Sequence, residues 1–219
     1  MKPIYSSIPV ELCVYGLTKS KTNHLKLLVY LKHIASGHVR YDSSLYKCWA
    51  VDLEVSERWI REAVAWMIKQ QWITVNNKKK SLRIVSYLQI CRKLKFKSNL
   101  AAKFEDDDFS SFKNFCCGVA FTYYLRRKNW MDKNRRSVSK MADTSKNRNR
   151  NPKGYSTLPV RYFAQCLGVS AATANNFKKC AQASGWISVK RQIASLYDSA
   201  DNQICKDAYC VFLHAESGI

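Results

Sequence analysis

A shift of 114 residues lays one part of this chain over another. When 49–75 is set on 163–189 without a gap, Ala50 falls on Ala164, Leu53 on Leu167, Val55 on Val169 and Ser56 on Ser170. After the same interval Trp72 falls on Trp186, Ile73 on Ile187 and Val75 on Val189. Self-similarity at a fixed spacing marks a duplicated unit. A chain of 219 residues has room for two domains of about 100 residues each. The expected organisation is a module over 1–88, a basic linker with an acidic end over 89–108, and a second module over 109–219.

Hydrophobic periodicity gives each copy the same order of elements. In copy one, Leu27, Leu28, Leu31, Ile34 and Ala35 share a helix face, and Ser36-Gly37 ends that helix. The connection 37–43 is short, and a second helix covers about 44–53. Ser56 then caps a third helix, whose inward face is Ile60, Ala63, Val64 and Met67. Residues 72–75 alternate like a strand, 76–80 read as a turn, and 82–85 return as the partner. In copy two, a helix over 109–128 carries Phe112, Phe115, Val119 and Tyr123, and a shorter one covers 158–167. Ser170 caps a helix over 171–184, which Gly185 closes. A strand over 186–189 pairs with 208–214 across a loop near 198–202. Where copy one has its short connection, copy two has a long basic loop over 129–157, and a loop of that length is rarely filler.

Several function classes lose support at this stage. No run approaches the ~18 apolar residues of a membrane span, and the N-terminal stretch lacks the apolar core of a signal peptide. The nine cysteines include no CxxC, and the adjacent Cys116-Cys117 suit neither a zinc site nor a simple disulfide. They read as reduced core thiols of a cytoplasmic, nucleoid-associated protein. Glu105-Asp106-Asp107-Asp108 could suggest a metal site, but carboxylates ahead of a helix answer the positive end of its dipole. No phosphate loop, Cys–His pairing or Gly-x-Ser-x-Gly is present. The expectation is therefore no enzyme, no metal, no cofactor and no small-molecule ligand.

Charge points to a polyanion. There are 37 Lys and Arg against 16 Asp and Glu, a net charge of +21, and such a surplus self-repels until an anionic partner neutralises it. It is also unevenly placed. Residues 126–153 hold eleven cations and two acids, and 78–103 hold nine cations and no acid. The tryptophans Trp49, Trp59, Trp66, Trp72, Trp130 and Trp186 read mostly as packing rather than as platforms for stacked bases. Trp59 and Trp66, seven apart, share one helix face, either inside the module or at a contact between modules.

Three helices followed by a two-stranded hairpin, with Leu167-Gly168-Val169-Ser170, then Thr173 and Ala174, then Gly185-Trp186-Ile187, resemble the winged helix-turn-helix fold. Copy one resembles it through Leu53-Glu54-Val55-Ser56, Trp59-Ile60 and Gln71-Trp72-Ile73. Lys178 and Ala181 stand where that family has large apolar residues, and Trp59 stands where it has Thr. The opening Ile8-Pro9-Val10-Glu11-Leu12 resembles the start of plasmid and phage replication initiators, which carry tandem winged helices.

The resemblance implies a mainly α chain with small β-hairpin wings (α+β), built as two winged helix-turn-helix modules that bind double-stranded DNA. The third helices would present Arg58, Arg61 and Glu62 in copy one, and Ala172, Asn175, Asn176 and Lys179 in copy two, to the major groove. Ser56, Ser170 and Thr173, at the helix starts, would also contact the DNA, Thr173 at a phosphate. Lys78, Lys79, Lys80, Lys190 and Arg191 on the wings would hold phosphates, as would Arg135, Arg136, Arg148 and Arg150 in the long loop. The expected role is initiation of replication of a plasmid, phage or mobile element. A transcription regulator is the alternative, and a winged-helix protein–protein scaffold is the alternative of another class. A homodimer is the other partnership considered.

Overall fold

In the computed structural model, which describes residues 6–35, 37–40, 42–78, 80–138, 154–197 and 202–216, the expected helix caps are in place. The Ser56 hydroxyl accepts from the Trp59 N–H at 3.2 Å, and α4 (Glu57–Lys69) follows. The Ser170 hydroxyl accepts from the Thr173 N–H at 3.1 Å, and α8 (Ala171–Ala183) follows. Each such cap satisfies an orphan donor of the first turn and stabilises its helix by about 1 kcal/mol. α4 buries Ile60, Ala63, Val64 and Met67, the expected face. α8 buries Ala174, Phe177 and Ala181.

The chain is α+β, with small antiparallel sheets. It divides into two compact units, Met1–Cys116 and Cys117–Ile219. The first unit begins with β1 (Ser6–Pro9), α1 (Val10–Thr18), α2 (Thr22–Ile34), β2 (His38–Arg40) and α3 (Ser43–Asp52). After α4 come β3 (Ile73–Asn76), β4 (Ser81–Ile84), α5 (Tyr87–Lys93) and β5 (Ala101–Phe104). Asp42 caps α3 by accepting from the Ser44 N–H at 3.1 Å. α3 buries Trp49, Ala50 and Leu53 and leads through a short turn into α4. The backbone of that turn is left-handed at Glu54 (φ 55°), and the Val55 N–H donates to the Ala50 carbonyl at 2.9 Å. Past α4 it is left-handed again at Gln71 (φ 58°), where the Trp72 N–H donates to Met67 at 2.9 Å. Trp72 is 2% exposed and packs on Trp66 and Tyr15.

The first unit holds more than three helices and a hairpin. The connection 37–43 contributes β2, so the sheet has three strands in the order β2-β4-β3. The expected linker 89–108 is folded: α5 starts at its head, and β5 pairs antiparallel with β1, Ser6 opposite Phe104 and Pro9 opposite Ala101. The Val10 N–H donates to Leu100 at 3.0 Å and Glu11 accepts from the Ser98 N–H at 2.7 Å. Leucines of α2 fill the core with Ile8, Leu12, Ala102 and Phe104. Each large apolar side chain fully withdrawn from water contributes about 1.5–3 kcal/mol.

α6 (Phe112–Val138) begins in the first unit and continues in the second. Phe112 and Phe115 stack near Phe104, whereas Phe121 and Tyr124 meet Phe163 of α7 (Val160–Leu167). Gly118 lies against the Trp186 ring, where an added Cβ would come within 2.1 Å of it. α6 corrects the long loop of the sequence reading, because 129–138 are helical. Lys, Arg and Met are good helix formers even without an apolar stripe, and Lys128 pairs with Asp132 one turn on at 2.5 Å. Residues 139–153 lie outside the described part.

α7 ends at Gly168 (φ 64°), and the Val169 N–H donates to Ala164 at 3.1 Å. α8 ends at Gly185 (φ 73°), and the Trp186 N–H donates to Ala181 at 3.0 Å. β6 (Ile187–Tyr197) and β7 (Gln203–Ala215) then form a hairpin much longer than the four and seven residues expected. In its far part Ile193 opposes Tyr209 and both are exposed, so this pair gives no alternation of buried and exposed residues to read in sequence. Of the nine cysteines only Cys13, Cys116 and Cys117 are buried; Cys48 and Cys205 are exposed, which corrects the reading of all as core.

Candidate nucleic-acid interface

α8 turns one face inward and leaves the opposite one to solvent. With Ala174, Phe177 and Ala181 buried, the helical period exposes Ala172, Asn175, Asn176 and Lys179. No acidic residue occurs in α8. The Thr173 hydroxyl lies 2.9 Å from the Ser170 hydroxyl at the helix start. Lys178, in the place of an apolar residue, is half-buried, as a side chain with a long apolar stem can be. Burial, and then the charge of Arg191, push its pKa down. Two cations that crowd each other in this way favour an anion beside them.

The hairpin separates Lys190 from Arg191. Both are exposed, but neighbours in a strand point to opposite faces. Arg191 opposes Val211 and Lys190 opposes Phe212. Arg191 is the one that acts electrostatically on Lys178.

α4 offers different chemistry from a similar exposed face. Arg58 reaches Glu62 at 3.0 Å and Arg61 reaches Glu57 at 2.5 Å, each one turn away. Both expected cations of this helix are therefore paired with carboxylates of the same helix. Trp59 and Trp66 pack inside the first unit, each edge-on to His24 with ring centroids 5.6 and 4.8 Å away. Burial, then the charge of Lys21, lower the pKa of His24.

The remaining expected residues are scattered. Lys78 and Lys80 are exposed in the turn between β3 and β4, and Lys79 lies outside the described residues. Arg135 and Arg136 are on the helical backbone of α6, not in a loop; Arg148 and Arg150 lie outside the described part. A group of cations absent from the expected set is exposed on the sheet of the first unit, namely Arg40 on β2 and Arg83 on β4. The signal was the alternation of Leu82 and Ile84 inward with Arg83 outward, read for the core and not for its reverse face.

The acidic run takes a local structural role. A 3-10 turn covers Asp106–Phe109, the Asp108 carboxylate accepts from the Glu105 N–H at 2.9 Å, and Asp106 lies 3.3 Å from His33. Among the described residues no three His, Cys, Asp or Glu gather as a metal site. Among the same residues no helix is long and apolar enough to cross a membrane. Comparison of the chain with protein-family models, with curated proteins and with solved structures gave no match.

Proposed function

We propose that this chain is a sequence-specific double-stranded DNA-binding protein built of two winged helix-turn-helix modules. The observation that carries the reading is the exposed face of α8, where Asn175, Asn176 and Lys179 stand with no carboxylate among them, on a chain of net charge +21. An Asn amide can form a bidentate pair with adenine: its NH2 donates to N7 while its oxygen accepts from the N6 amino group. The surrounding cations supply the phosphate attraction common to all sequences.

The module assignment is supported by backbone detail at the 114-residue offset. Left-handed residues occur at 54 and 168 and again at 71 and 185. The caps Ser56 and Ser170 stand at that offset, as do the bonds Val55 to Ala50 and Val169 to Ala164. The bonds Trp72 to Met67 and Trp186 to Ala181 follow the same spacing. Within DNA binding, the proposed role is initiation of replication of a plasmid, phage or mobile element, resting on the paired modules and on the opening residues 8–12.

Fluorescence anisotropy with a labelled duplex, titrated at several KCl concentrations, tests the chemistry. Six or more neutralised phosphates give a log–log slope of about −5 or steeper, at about −0.9 per phosphate. A flat response removes the DNA reading. Selection from a random duplex pool tests the role: direct repeats fit an initiator, and an inverted repeat fits a promoter-bound regulator.

A further inference from the structure

The sheet of the first unit has a polar outer face of unusual uniformity. Across its three strands His38, Arg83 and Thr74 are direct partners, and two residues along Arg40, Ser81 and Asn76 are the next such row. Direct partners share a face, strands lie about 4.8 Å apart, and the two rows are about 6.6 Å apart along the strands. Val39, Leu82 and Ile84 are buried on the other face, so these rows face outward. Beside the Arg83 row lies an open groove of about 470 Å³, lined by His38, Thr74, Val75, Asn76, Asn77, Lys78 and Arg83, with Arg40 outside its lining.

A merely solvated face mixes charges of both signs, as α4 does with Glu57, Arg58, Arg61 and Glu62. Here Arg40, Arg83, Lys78 and Lys80 are all exposed, and none of them lies within ion-pair distance of a carboxylate among the described residues. Arg40 and Lys80 act on Asp42, whose carboxyl is held below the usual range first by hydrogen bonds from the Ser44 N–H and hydroxyl and then by the charges of these two residues. Because that carboxylate already caps α3, the face keeps an excess of positive charge beside amide and hydroxyl groups.

We propose that this outer face, centred on Arg40 and Arg83 with Lys78 at its edge, binds the phosphodiester backbone of duplex DNA, so that the first unit grips DNA by its sheet and not by the paired arginines of α4. This rests on the DNA-binding reading above. Two guanidinium groups fit phosphate oxygens through forked N–H pairs, and the Thr and Asn groups add neutral hydrogen bonds. None of these contacts reads a base, so the face adds affinity and orientation to a choice of sequence made elsewhere.

The test uses the full chain and a labelled 30-base-pair duplex over a KCl series. Arg40→Gln/Lys78→Gln/Arg83→Gln should make the log–log salt slope shallower by about 2 to 3, at about 0.9 per lost phosphate contact. A control with the same loss of charge, Lys47→Gln/Lys69→Gln/Lys113→Gln, should change it by less than about 1. Equal changes in the two variants, or an unchanged slope in the first, overturn the proposal while leaving DNA binding standing. A wild-type chain that ignores duplex DNA overturns both. Should the first variant fail to fold by circular dichroism, wild-type amide resonances decide. Shifts at 38–40 and 81–84 on adding duplex support the face, and shifts confined to other residues overturn it.

Discussion

The turn ahead of α4 and the turn ahead of α8 follow the same backbone path with different residues. Gly168 takes the left-handed conformation with no Cβ to resist it, whereas Glu54 takes it at a cost of roughly 1–2 kcal/mol. Gly185 and Gln71 repeat the contrast at the far end of each helix. The helices between them differ in the same sense. α8 presents amides and a lysine without a carboxylate, and α4 binds its own arginines with its own glutamates. The second unit thus has an unstrained turn and an open polar face. The first has a strained turn and a self-neutralised helix, held in place by packing of Ile60, Ala63, Val64 and Met67.

The sharpest way to break this contrast is to remove the amides. Asn175→Ala/Asn176→Ala should weaken binding to the preferred site by about 1–3 kcal/mol for each base contact made, and relax preference at one or two positions. Thermal melting should be unchanged, since both side chains are exposed. If the site is bound as before while Arg58→Ala/Arg61→Ala abolishes preference, α4 is the reader and the comparison is reversed.

The turns give a smaller effect. Glu54→Gly relieves left-handed strain but gives the unfolded chain more freedom, worth about 0.4–1 kcal/mol against it. The net expectation is a gain of about 0.5–1 kcal/mol in urea unfolding, with Gly168→Glu losing a similar amount. A loss on Glu54→Gly would show that the Glu54 side chain contributes something its exposure hides.

Smallest of all is the effect of the glutamates on stability. Exposed pairs one helical turn apart contribute about 0.3–0.5 kcal/mol each. Glu57 precedes Arg61, the favourable order, while Arg58 precedes Glu62. Glu57→Gln/Glu62→Gln should therefore cost under about 1 kcal/mol in urea unfolding, yet should tighten non-specific duplex binding, because two guanidinium groups are released. Unchanged affinity in an anisotropy titration would mean that α4 stays away from DNA even when its charges are free.

The parts of this fold that were legible in the sequence are those fixed by local chemistry. The inward faces of α4 and α8 follow from helical period, and Ser56 and Ser170 announce their helices by the hydroxyl each places ahead of the first turn. Pairings between distant short segments were not legible. β1 and β2 have four and three residues, too few for alternation to stand out, and β1 finds its partner only at Ala101–Phe104. In the outer part of the long hairpin Ile193 and Tyr209 pair on an exposed surface, and the later part of α6 has helix-forming residues without an apolar stripe. On the candidate interface, the exposed amides of α8 were legible as the reverse of its core face. Arg40 and Arg83 were not, because they share a surface only through cross-strand register.

The pairing of β1 with β5 also sets an order of events during synthesis. Ser6 must wait for Phe104, and at about 5–20 residues per second that wait is roughly 5–20 s. Until then the first strand leaves the ribosome with its N–H and C=O groups unmatched, beside an apolar first helix that has no β5 to shelter it. Such an edge invites pairing with another chain. Docking of α1 on α2 would shorten the exposure of that helix but not of the strand edge, so overexpression is expected to send part of the chain to inclusion bodies.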